Sequence, residues 1–222
     1  MEMTEKRAAK GPAKGNELIT KLIKGAERAC EDYIALSGNP FPGHAPESFI
    51  QAGTARELLK VEKIGVVLED SVADVYKAAN AKKKGPAKSK VAKGYYDLVL
   101  YWKNGKPRAA VELKSPVNVL SKRQYEKDFH RLIQSMNGHP ESTFQYGIFL
   151  FLSVKKGTKK DFEKSKIELQ ALVEKLGIEA VSIASKTSKM KLNVFIHEGK
   201  FHKIKAGDEP GAWRISAIVL KR

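Results

Sequence analysis

Apolar residues recur along the chain with two different periods. From Leu18 the positions Leu18, Leu22, Ala26, Ala29 and Tyr33, flanked by Ile19, Ile23, Cys30 and Ile34, keep helical spacing and predict a helix over 16–36 with Asn16 as its cap. Two prolines and two glycines over 37–45 demand a loop. Pro46-Glu47 then opens a second helix running to about residue 60, and Val66-Val67-Leu68 begins a first strand. Residues 95–102 and 107–114 read as two strands joined by Lys103-Asn104-Gly105-Lys106, where the Asn-Gly pair signals a tight hairpin. Over 121–136, Tyr125, Phe129, Leu132, Ile133 and Met136 form a helical stripe. The run 144–154 is continuously apolar, as in a strand buried on both faces. A further amphipathic helix over 158–176 turns Phe162, Leu169, Leu172, Val173 and Leu176 inward. A short strand over 180–183 follows, and strands over 192–196 and 213–220 close the chain.

The hairpin carries the chemistry. A two-residue Asn104-Gly105 loop would set Lys103 against Lys106 and Asp97 against Glu112, two carboxylates on one face of one sheet. Directly opposed like charges repel unless a cation lies between them. Strand alternation adds Lys114 to the face of Glu112 and turns Val111 and Leu113 the other way, into a core. The same trio could be a solvated hairpin face with an ordinary cross-strand ion pair. The Tyr, Leu, Val and Ala neighbours argue instead for a mostly buried sheet, where unpaired carboxylates are costly.

Asp97, then Glu112-Leu113-Lys114 within an apolar strand after fourteen intervening residues, resembles the PD-(D/E)xK phosphodiesterase superfamily, the restriction-endonuclease-like nucleases. A strand ending in the Asp, a tight hairpin, a Val-Glu-Leu-Lys strand and a following helix support the likeness over about 47–154; Tyr96 stands where the motif's name has Pro. The resemblance implies an α/β fold with an αβββαβ core, a central mixed sheet flanked by helices. It also implies a Mg²⁺ ion, replaceable by Mn²⁺, held by Asp97, Glu112 and the Leu113 backbone carbonyl. Lys114 would stabilise the developing anion as a catalytic group beside Asp97 and Glu112. A third carboxylate from the helix before the first strand is common in the family; Glu47 is the candidate and Glu69 its rival, while Glu47 serves equally well as a first-turn acid of its helix. Gln51, one turn on, would support Glu47. The helix after the motif offers Gln124, Lys127, Asp128, His130 and Arg131. Lys127 and Arg131 form an i, i+4 pair that either binds phosphate or belongs to a solvated basic face.

Composition extends this picture. Lys and Arg number 41 against 25 Asp and Glu in 222 residues, a net charge of +16 that favours a polyanionic partner. Residues 1–15 read as a flexible basic arm and 16–222 as one domain, with its core over about 46–185. Lys82, Lys83, Lys84, Lys88, Lys90 and Lys93, with no acid over 80–94, lead straight into the strand of Asp97 and would contact nucleic-acid phosphates in a salt-sensitive way. Cys30, the single cysteine, excludes internal disulfides and thiolate zinc clusters and reads as a small core residue; the histidines show no zinc-ligand spacing. No membrane-length apolar run and no signal segment is present, so the expected location is cytoplasmic.

The leading expectation is therefore a Mg²⁺-dependent nuclease acting on DNA, with RNA not excluded and a homodimer expected if both strands are cut. A non-catalytic nucleic-acid-binding module on the same fold and a basic RNA-binding structural protein are the alternatives.

Overall fold

The computed structural model describes residues 9–10, 17–62, 64–81, 94–117, 122–136, 141–157, 162–188, 190–205 and 210–222. In chain order the elements are β1 (Ala9–Lys10), α1 (Glu17–Ser37), α2 (Glu47–Leu58), β2 (Ile64–Ser71), α3 (Val72–Ala78), β3 (Tyr95–Trp102), β4 (Pro107–Lys114) and α4 (Lys122–Met136). They continue with β5 (Tyr146–Lys156), α5 (Phe162–Thr187), β6 (Asn193–Glu198), β7 (His202–Ile204) and β8 (Gly211–Lys221). The result is an α/β protein, a mixed sheet packed against five helices. The strand order is β1-β6-β8-β5-β4-β3-β2, with β7 pairing at one end of β8. The β3/β4 hairpin is antiparallel, and β4 and β5 run parallel, joined by α4.

Each side of the sheet carries its own core. Leu98, Leu100, Val111, Leu113, Leu150 and Ile215 pack with Leu18, Leu22 and Ala26 of α1 and with Ile50 and Leu58 of α2. Val99, Ala110, Phe149, Phe151 and Ile218 pack with Phe129, Leu132 and Ile133 of α4 and Val173 and Leu176 of α5. Cys30 is fully buried in the first core, and burial raises its thiol pKa to about 12, so it behaves as the expected small hydrophobe. Helices α1 and α2 cross closely because glycines meet there: a Cβ on Gly53 would come within 2.6 Å of the Ala29 Cβ.

Several sequence expectations need correction. The expected strand over 180–183 is the last part of α5, because Val173, Leu176, Ala180 and Ala184 continue one helical stripe into the second core. Helix α3, capped by Ser71, stands where no element was expected. Within the expected arm, Ala9 and Lys10 pair in parallel with Phe195 and Ile196 of β6. The Asn16 cap and the six-lysine segment lie outside the described residues. Among the described residues, no helix is long and apolar enough to cross a membrane.

The hairpin differs from expectation in an instructive way. Its loop has three residues, closed by Trp102 N–H to the Lys106 carbonyl at 2.9 Å and Gly105 N–H to the Trp102 carbonyl at 2.9 Å, with Gly105 at φ +73°. This is a turn followed by a left-handed residue, which only glycine adopts at no steric cost. The longer loop shifts the pairing by one residue, and an irregularity between Leu100 and Tyr101, with Arg108 as the extra residue, shifts it back. The pairs Leu98↔Val111, Val99↔Ala110 and Leu100↔Ala109 are therefore those the two-residue loop required.

Candidate active site

The β3/β4 ladder ends at Leu98↔Val111, so Asp97 and Glu112 are the next residues beyond the last pair. Here the strict alternation of β3 breaks. Tyr96 is buried in the α4/α5 core, its hydroxyl 2.5 Å from Ser135 Oγ on α4, while Leu98 lies in the α1/α2 core. Asp97, between them, turns its carboxylate toward β4 and α2: Oδ2 accepts the Leu113 N–H at 2.5 Å and Oδ1 accepts from Gln51 Nε2 at 3.0 Å.

Glu112 is held from the other side of the sheet. Its Oε1 accepts from Arg131 of α4 at 2.5 Å, and the same Arg131 nitrogen donates to the Tyr95 carbonyl at 3.1 Å. Ser135 Oγ donates to the Arg131 carbonyl at 2.9 Å, which ties this turn of α4 to Tyr96. The two carboxylates thus do not lie side by side on one open face. Each is fixed by a different helix, and they lie within electrostatic reach of each other where β3 and β4 part.

Lys114 and Glu47 complete the group. Glu47, the first residue of α2, accepts from the Ser115 N–H at 2.9 Å and lies 3.5 Å from Lys114 Nζ. Its carboxylate thus serves the end of β4, and Gln51, expected to support Glu47, holds Asp97 instead. Glu69 falls on β2 between the Leu68↔Leu98 and Asp70↔Tyr96 pairs, but it is exposed and its backbone is left-handed at φ +49°.

Among the polar groups of α4, Asp128 is a site residue that the motif itself does not mark. It is 8% exposed, has no hydrogen-bond partner among the described residues, and is close enough to Lys114, Arg131, Glu47, Asp97 and Glu112 for their charges to act on one another. One signal could have found it: with Tyr125, Phe129 and Leu132 facing the core, Asp128 and Arg131 flank that stripe. Arg131 is itself 8% exposed and paired, so it does not form a solvated basic face with Lys127, which is exposed. Gln124 lies on α4 with its side chain outside the described residues.

Burial and crowding of like charge dominate the electrostatics. Asp97 is pushed up to about 6, first by burial and then by Glu47 and Asp128, against the opposing pull of the Leu113 N–H and Lys114. Glu112 is pushed up to about 9 by burial, with Asp97 and Asp128 adding to the rise and Arg131 opposing it. Asp128 is raised by burial as well. Burial disfavours the charge on Arg131, and the Glu112 carboxylate more than offsets this.

The four carboxylates outnumber Lys114, Arg131 and Lys127, the cations that act on them, by one when all are ionised, and with Glu112 raised to about 9 a cation bound there would displace its proton. The donors are oxygens, as Mg²⁺ prefers, and Asp97 and Glu112 with waters satisfy its habit of binding one or two carboxylates. A cage of three protein ligands does not fit: among the described residues no group of three His, Cys, Asp or Glu has metal-holding geometry. Asp97 and Glu112 are therefore the two carboxylates that would hold a cation, with water completing its shell.

No family model, curated protein or solved structure matches this chain.

Proposed function

We propose that the chain is a Mg²⁺-dependent nuclease that hydrolyses phosphodiester bonds in DNA on a restriction-endonuclease-like core. The observation that carries this reading is the placement of Asp97, Glu112, Lys114 and Glu47 where β3 and β4 part, with each carboxylate held by a hydrogen bond from the protein. The order α2, β2, β3, β4, α4, β5, with α3 inserted, agrees with the αβββαβ core of the PD-(D/E)xK superfamily.

Asp97 and Glu112 would hold Mg²⁺, which supplies positive charge at a phosphate oxygen and makes a bound water more acidic. Gln51 and the Leu113 N–H fix both oxygens of Asp97, so its carboxylate is oriented before any substrate arrives. Arg131 anchors Glu112 through Oε1 and leaves Oε2 for the ion. The Lys114 ammonium, loosely held by Glu47 at 3.5 Å, is the group that offsets the charge building on the scissile phosphate.

One observation favours the binding-module reading: the Arg131–Glu112 pair already gives Glu112 a cation. The two readings separate when the purified protein is incubated with supercoiled and linear DNA in Mg²⁺, Mn²⁺ or EDTA. Cutting that needs the metal supports the nuclease. Binding without cutting, in either metal and on either topology, supports the module.

A further inference from the structure

At the opposite end of the hairpin, about 17 Å from Asp97 along β3, aromatic rings and cations alternate across four strands. The Arg108 guanidinium lies 4.1 Å from the centroid of the Trp102 ring and 5.8 Å from that of Tyr146, and Lys221 Nζ lies 6.0 Å from the Tyr146 ring. Beside this row opens a cleft of about 600 Å³ lined by Trp102, Lys103, Asn104, Lys106 and the 142–145 segment. None of its lining residues is acidic; Glu141, next in sequence, lies outside the lining. Lys103 and Lys106 have no ion-pair partner among the described residues. Packing of the sheet end accounts for Arg108 on Trp102, but not for two unpaired lysines in a cleft without an acid.

We infer that this cleft is a second nucleic-acid contact, taking a single-stranded segment whose base stacks on Trp102 while Lys103, Lys106 and Arg108 meet its phosphates. Charge complementarity selects a polyanion, and the half-buried indole selects one with an accessible ring face. A duplex keeps its bases stacked inside and could offer this cleft only phosphates. An acidic peptide would use the lysines but not the part of the Trp102 ring that lines the cleft. The inference rests on the proposed nucleic-acid partner and not on the cleavage site.

The test uses the full chain in EDTA, so that cleavage plays no part, with fluorescein-labelled oligo-dT and a duplex of the same length followed by anisotropy. Trp102→Ala is expected to weaken oligo-dT binding about tenfold, the worth of one stacked base, and to leave duplex binding nearly unchanged. Oligo-dT should also quench tryptophan emission in the wild type and not in Trp102→Ala, since the other tryptophan, Trp213, is buried beneath His202. Lys103→Glu with Lys106→Glu, both on the exposed turn, should weaken oligo-dT binding and flatten its salt dependence. Wild-type oligo-dT affinity in the lysine double variant, or in a Trp102→Ala protein that melts normally, overturns the inference. So does an equal loss for duplex and single strand in Trp102→Ala. Failure of the nuclease reading alone would leave these binding results standing.

Discussion

Arg131 of α4 donates to Glu112 of β4 across 2.5 Å, with the two side chains only 10% and 4% exposed. A pair this buried repays its desolvation only while both partners are present. Arg131→Met should destabilise the fold by about 3–5 kcal/mol above about pH 9, where Glu112 is ionised, and by much less below it, where a protonated Glu112 needs no cation. Urea denaturation at both pH values checks this; a loss independent of pH would mean that Arg131 acts through packing alone.

The crowding of carboxylates predicts how the metal-free protein responds to pH. Asp97 sits at about 6 against an ordinary 3.8, and Glu112 at about 9 against 4.5. Both pKa values are raised, so over these ranges the folded protein holds protons that the unfolded chain has released, and stability falls as pH rises. The Asp97 contribution is lost between about 3.8 and about 6, and that of Glu112 between 4.5 and about 9. In EDTA, the wild type should lose thermal stability relative to an Asp97→Asn, Glu112→Gln variant across this range, and Mg²⁺ should restore it at the alkaline end. A difference between wild type and variant that does not change with pH would contradict the electrostatic account.

Gln51 and Lys114 should separate in their kinetic effects. Among the described residues the one hydrogen bond from the Gln51 side chain goes to the Asp97 carboxylate, so Gln51→Leu should cost about 10–100-fold in metal affinity or activity, as for other groups that orient a metal ligand. Lys114→Ala should lower kcat about 10²–10³-fold with Mg²⁺ affinity little changed if, as proposed, its ammonium acts on the phosphate rather than on the ion. Calorimetric Mg²⁺ titration beside single-turnover cleavage distinguishes the two.

Both Glu47 and Gln51 ride on α2, whose approach to α1 depends on Gly53. An added methyl would press on Ala29 Cβ at 2.6 Å, so Gly53→Ala should destabilise by about 1–3 kcal/mol through overpacking. Because the strain displaces the helix that carries Gln51, activity should fall even in molecules that remain folded. Thermal melts and specific activity at a temperature well below the melt report the two effects.

The hairpin shows what the sequence could and could not give. Asn104-Gly105 pointed to a turn and the apolar strands to their pairing, but the loop is one residue longer than the dipeptide implies, and Arg108 at the bulge restores the register by which Asp97 approaches Glu112. Strand alternation alone put Asp97 and Glu112 on one face. It could not show the ladder ending at Leu98, nor Asp97 turning to the Leu113 N–H, because both depend on α2 and α4 packing from opposite sides. Arg131 was legible as a cation in a helical i, i+4 pair; its burial was not, since that depends on how α4 is rotated by Phe129 packing 4.7 Å from Phe149. The strand expected over 180–183 failed because a short apolar run has no period of its own, and α5 absorbed it.

The central claim is that the carboxylates at the end of β3 and β4 form a metal-dependent cleavage site. Its most direct test is cleavage of supercoiled DNA in Mg²⁺ by the wild type beside a Glu112→Gln, Lys114→Ala double variant matched in circular dichroism and in DNA affinity. The account predicts nicking or linearisation by the wild type, abolished by EDTA, and none by the variant. Equal cutting by both proteins, or no cutting by the wild type in Mg²⁺ or Mn²⁺, would contradict it.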